Sequence, residues 1–147
     1  MKYKLTEETK VYFGRTLHRI VCVTAFANVA AGELGGWIEN EKNLDQFGNA
    51  WVCGNAWVYG NAWVCGNAEV YGNADYIVLK NNWSSGRHFT YTLSNKMWNV
   101  GCFFGTGEEL IKKAYKDSEL SGRCYEASVK YVEELIRIKE GLKCKTK

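Results

Sequence analysis

The residues best placed to do chemistry lie where Phe103-Phe104-Gly105-Thr106-Gly107 joins a strand to the start of a helix. A helix N-terminus carries free N–H groups and the positive end of the dipole, and both favour an anion. Gly105 and Gly107 would let a ligand approach the backbone on either side of Thr106. An adjacent strand pair supplies Arg87, Phe89, Tyr91, Trp98 and Asn99, a set that could stack on a base and pair with a phosphate. The plain alternative stays open: a tight turn, a helix cap and core aromatics, with Glu108 and Glu109 repelling an anion. The six cysteines (Cys22, Cys53, Cys65, Cys102, Cys124 and Cys144) contain no C-x-x-C pair, which argues against a zinc site. None has a visible His or Asp partner for nucleophilic work, so all six read as reduced thiols.

The chain that must position these residues is organised around Gly48 to Ile77. This stretch reads GNAWVC, GNAWVY, GNAWVC, GNAEVY, GNADYI, five tandem copies of a six-residue unit. Ala and Val sit two apart in each unit, so an extended chain points them to one face: Ala50/Val52, Ala56/Val58, Ala62/Val64, Ala68/Val70, then Ala74/Tyr76. Trp51, Trp57 and Trp63 point the other way, as do Cys53, Tyr59, Cys65 and Tyr71. Gly-Asn is a turn signal, and its recurrence excludes a helix. Four-residue hairpins would bury little and leave edges open. The spacing therefore predicts a β-solenoid whose coils stack.

The pattern Val58-Tyr59-Gly60-Asn61-Ala62-Trp63, an aliphatic residue followed four places on by a small one, resembles the hexapeptide-repeat family. That resemblance implies a short left-handed β-helix with three units per coil, so that Asn49 lies under Asn67 and Asn55 under Asn73. It also puts Trp51, Trp57 and Trp63 on three outer faces, a packing surface that Tyr59 joins. Such a ring of tryptophans needs cover from the flanking segments or from another subunit, which predicts a homo-oligomer. The best-known members of this family are acyltransferases. Likeness to them implies a trimer, acetyl-CoA as donor and a catalytic His. This chain has only His18 and His88. His88 is the alternative catalytic residue, against its reading as an ordinary strand residue, and no loop for the acyl donor interrupts the repeats.

Taken in order, residues 1–24 predict a capping hairpin, with Lys10–Phe13 and Leu17–Val23 as strands about a Gly14-Arg15 turn. Residues 25–79 form the repeat region, regular over 48–77 and degenerate before it, as at Ala27-Asn28-Val29 and Gly36-Trp37-Ile38. Residues 80–147 predict an α+β unit: strands His88–Thr92 and Met97–Phe103, a helix opened by the capping box Thr106-Gly107-Glu108-Glu109, and a second helix from Ser121 to Glu140 stopped by Gly141. The Lys143–Lys147 tail is basic and expected to fray. The whole order also resembles small hexapeptide-repeat proteins of bacteriophages and prophages. This implies a non-enzymatic counter-defence role: sequestering a nucleotide-like ligand or blocking a host defence protein. A purely structural, oligomer-forming protein is the third reading. No cofactor or metal is expected.

At 147 residues the chain is one domain, or a core with an appendage. No apolar run is long enough for a membrane and no signal-peptide core follows Met1, so the expected location is the cytoplasm, the host's if phage-encoded. A net charge of +3 does not indicate nucleic acid, and Gly48 to Ile77 holds no Lys or Arg.

Overall fold

The computed structural model describes residues 1–145, with side chains described up to Leu142. The expected fraying of Lys143–Lys147 and the state of Cys144 lie outside the described side chains.

Strands β1 (Tyr3–Tyr12) and β2 (Arg15–Cys22) form the expected hairpin, longer than the apolar pattern suggested. Phe13 and Gly14 make its turn, both at positive φ (48° and 77°), the backbone twist that suits a two-residue hairpin. Strand β3 (Leu34–Ile38) pairs antiparallel with β2. A 3-10 turn at Glu41–Asn43 follows, closed by a capping box between Asn40 and Asn43. The repeats contribute β4 (Trp51–Val52), β5 (Trp57–Val58) and β6 (Glu69–Val70), each two residues long.

The solenoid expectation is not met. The structure has separate sheets in place of one continuous left-handed β-helix. One is a mixed four-stranded sheet ordered β1-β2-β3-β5; another is the two-stranded pair β4-β6. The third is antiparallel and belongs to the C-terminal half. The physical reason lies in the unit itself. Gly-Asn recurs so often that three of the copies extend for only two residues, and Val64 of the third unit makes a single bridge with Leu44. One of these stubs, β5, is recruited in parallel by β3, whose other edge is held antiparallel by the N-terminal hairpin.

Some of the repeat's logic survives in this arrangement. Trp51 pairs with Glu69 and Val52 with Val70, one three-unit step along the chain. Backbone bonds at the same step join Asn49 N to Gly66 O, Trp51 N to Ala68 O and Cys53 N to Val70 O. The inward face is as expected from the alternation. Ala50, Val52, Ala56, Val58, Ala62, Val64, Ala68 and Val70 are all buried, with Tyr3, Ile20, Ile38 and Leu44. Ala74 of the fifth unit is exposed, so the pattern ends there.

The hairpin is riveted to this core by buried polar groups. Lys2 Nζ donates to Ala50 O at 2.8 Å and Tyr3 Oη to Leu44 O at 2.5 Å. Outside the hairpin, Asn43 of the 3-10 turn is fully buried and donates to Ala62 O at 2.8 Å. Each bond satisfies a carbonyl that has no ladder partner at the open end of the repeats.

Strands β7 (Tyr76–Lys80), β8 (His88–Thr92), β9 (Met97–Val100) and β10 (Phe103–Gly105) form an antiparallel meander. The single strand expected over Met97–Phe103 is divided, because Gly101 turns at φ 56° and folds β10 back on β9. Helix α1 (Gly107–Asp117) starts at the expected cap: Thr106 accepts from Glu109 N and Glu109 accepts from Thr106 N. Helix α2 (Glu119–Lys145) is longer than expected and passes through Gly141 without stopping. Both helices pack on the meander around Phe89, Trp98, Leu110, Ala114, Tyr125, Val129 and Val132. Among the described residues no helix is long and apolar enough to cross a membrane.

Candidate functional site

The period-2 pattern of β8 and β9 sends Tyr91 and Trp98 towards the helices, where they pair across the ladder with ring centroids 4.8 Å apart. The capping box fixes Thr106 and Gly107 at the mouth of α1, and the turn-by-turn pattern of α2 brings Val132, Glu133, Ile136 and Glu140 over the same place. Between them lies a groove of about 500 Å³, lined also by Leu93, Lys96 and Glu108. Of the residues expected to bind a ligand, it gathers Tyr91, Trp98, Thr106 and Gly107.

The others serve elsewhere. Phe89 is core, stacked among Trp83, Trp98 and Tyr125. Asn99 is buried and ties the meander to the repeats: its amide donates to Trp63 O at 3.2 Å, and its carbonyl accepts from Cys65 Sγ at 2.7 Å. Arg87 is exposed, beside His88 on a separate small hollow. Gly105 is packed so closely that an added Cβ would lie 2.8 Å from the Phe103 ring.

The groove's charge runs against the expected anion. Glu108, Glu133 and Glu140 face one cation, Lys96. The helix N-terminus is already answered by the protein itself. The Glu109 carboxylate takes the Thr106 N–H, and this bond holds its pKa below the ordinary carboxylate value. Burial raises the Tyr91 phenol pKa, with Glu133 and Glu140 adding to the effect, so this hydroxyl stays protonated at neutral pH. Glu133 and Glu140 escaped the sequence reading. The signal was their spacing of seven, two turns of helix, beside the apolar Val132 and Ile136.

Two of the tryptophans expected to need cover, Trp51 and Trp57, pack against the chain's own N-terminal segments. Trp51 lies edge-on against Tyr3 and Phe26. Trp57 packs on Tyr12, with centroids 4.2 Å apart, and Lys10 Nζ sits over both Trp37 and Trp57 at 4.2 and 4.5 Å. Desolvation lowers the Lys10 pKa there. Tyr59 is flanked by Tyr12 and Arg15. Trp63 is half-buried, with its backbone held by Thr90 and Asn99. Trp51 and Trp57 are thus packed against the chain's own N-terminal residues, while Trp63 lines a shallow hollow with Phe47 and Asn61.

His88 lies in a second cleft, of about 440 Å³, with Arg15, Tyr59, Asn61, Asn73 and Tyr76. Its Nδ1 is 2.9 Å from the Asn61 amide nitrogen. With Asn61 donating, the ring proton sits on Nε2. A base acting through Nε2 needs the other tautomer, which Asn61 would support with its amide turned over. Arg15 is committed to Glu39 at 2.8 Å, and Tyr76 Oη donates to Trp57 O at 2.7 Å. His18, the other histidine, pairs opposite Ile38 within the hairpin sheet.

No family model matches the chain. Over 59 residues it is 36% identical to a protein of Escherichia coli (strain K12) named "Uncharacterized acetyltransferase YdcK". The match covers 35% of this chain and 18% of that protein. The likeness hints at the family suggested by the Gly-Asn-Ala units, although the sheets described above are not that family's solenoid. It carries no sign of phage origin.

Proposed function

We propose that this protein is a non-catalytic binding module whose groove, between β8, β9 and α2, holds a small organic cation. One observation carries this reading: three carboxylates surround an apolar floor of Tyr91, Trp98, Val132 and Ile136, against a single lysine. The three carboxylates are exposed, so each attracts a cation only modestly in water, and the apolar floor adds burial of the cation's organic part. They also oppose the nucleotide-like anion that the Arg87 and Thr106 reading implied. The counter-defence role finds no support in this groove or in the comparison, and forms no part of the proposal. The free thiols Cys22, Cys53, Cys65, Cys102 and Cys124 accord with a reducing compartment such as the cytoplasm.

The test is calorimetric titration with aryl-alkyl amines, the matching carboxylates and nucleoside phosphates. Saturable binding of an amine, weakened about tenfold or more by Glu133→Gln with Glu140→Gln, is expected; that factor is about 1.4 kcal/mol. Preference for nucleotides, or no binding of any amine, overturns the reading. The relative's printed name favours a second reading, acyl transfer with His88 as base. Acetyl transfer from acetyl-CoA to an amine, lost in His88→Ala with the fold intact, would establish it in place of the first.

A further inference from the structure

Helix α2 carries two apolar stripes, and the protein's own core uses only one. Tyr125, Val129 and Val132 face the meander and are buried. Tyr131, Leu135, Ile138 and Leu142 are 55%, 39%, 46% and 57% exposed. Steps of four, three and four along a helix place this second set within a sector of about 60°, on a different face from the first. That spacing is the seam of a coiled coil, with Leu135 and Leu142 at one core position and Tyr131 and Ile138 at the other.

We propose that a second copy of this chain docks on the stripe, with the two α2 helices parallel. The flanking charges single out this occupant and this direction. Glu134 immediately precedes the core residue Leu135, and Lys139 immediately follows the core residue Ile138. In a parallel pair these two flanking positions, five residues apart, meet across the seam. Glu134 then faces Lys139 of the partner subunit, and two-fold symmetry makes the contact twice. An antiparallel pair would set Glu134 against its own copy and Lys139 against its own. Among the described residues of its own helix Glu134 bonds to the exposed Arg137, one turn along, which leaves it at the seam's edge. The approach is open. Helix α1 packs on another side of α2, where Tyr115 lies against Gly122 and bonds Glu126 at 2.9 Å. The proposal does not depend on the groove, whose Glu133 and Glu140 point away from the stripe.

Sedimentation equilibrium of the full chain over roughly 10–500 µM tests it, because self-association must grow with concentration. The wild type is expected to dimerise, and Ile138→Glu to stay monomeric with unchanged circular dichroism. Glu134→Lys alone and Lys139→Glu alone should each weaken association about tenfold, and the double exchange should restore it. A wild type that is monomeric throughout overturns the proposal. So does association that survives Ile138→Glu, or charge variants without the rescue, which an antiparallel or unrelated contact would give.

Discussion

Removing two methyl groups at Val58 probes whether the Ala/Val face of the repeats is a close-packed interior. Val58 is fully buried, pairs with Ile38 across the β3–β5 ladder, and sits in the cluster that includes Val52 and Val64. Val58→Ala forfeits about 0.8 kcal/mol of transfer free energy per methyl group. The cavity left behind adds up to ~1 kcal/mol, since backbone bonds on both sides limit collapse. The sum is about 2–3 kcal/mol, a sizeable part of the 5–15 kcal/mol that a domain commonly has. At this chain length that corresponds to a fall in Tm of about 5–10 °C. Val11→Ala is the control: Val11 is 73% exposed on β1, and its truncation should cost within about 0.5 kcal/mol. Urea unfolding followed by circular dichroism gives both values, with the m-value unchanged if only stability has altered. Equal midpoints for the two variants would refute the inward-facing assignment of the repeats.

Glycine positions in the repeats should differ sharply. Gly54 and Gly66 both have positive φ, 57° and 68°, yet a Cβ on Gly54 meets open space and one on Gly66 would lie 2.6 Å from the Phe104 ring. Gly54→Ala should cost about 1–2 kcal/mol, and Gly66→Ala about 1–3 kcal/mol more, in the same denaturation assay. Burial raises the Cys65 thiol pKa to about 11 from an ordinary 9.0. The unfolded chain then loses this proton first, so the contribution is complete below pH 9 and declines as pH rises towards 11. Burial raises the Tyr3 and Tyr76 phenols in the same sense. Stability measured in reductant should therefore fall from about pH 9 upward, and Cys65→Ala should make the fall shallower; a flat profile would count against this. A thiol reagent at pH 8 should modify the exposed Cys102 at once and leave the buried Cys22 and Cys65 untouched until unfolding. Rapid reaction at Cys65 in the native protein would contradict the packing described.

What the sequence determined by itself is what depends on neighbours a few residues apart. Alternation of Ala and Val set the buried face, because side chains in an extended chain alternate whatever sheet receives them. Thr106 with Glu109 starts α1 because both ends of that cap lie within one turn, whereas the hairpin turns at Phe13-Gly14 in place of Gly14-Arg15 and Gly101 divides a strand expected to be continuous. Strand partnership is a different matter. Nothing local told β5 to join β3 in a mixed sheet in place of a continuous coil, since a two-residue strand carries too little pattern to choose its neighbour. The same holds for the groove. Tyr91, Trp98 and Thr106 were legible as a cluster, but the sign of its charge came from Glu133 and Glu140, carried over it by α2 from far along the chain. Gly141 allows a helix to stop, yet α2 runs on to Lys145. Tertiary packing alone brought Tyr12 and Lys10 onto Trp57, because residues over forty positions apart meet only when the hairpin folds over the repeats.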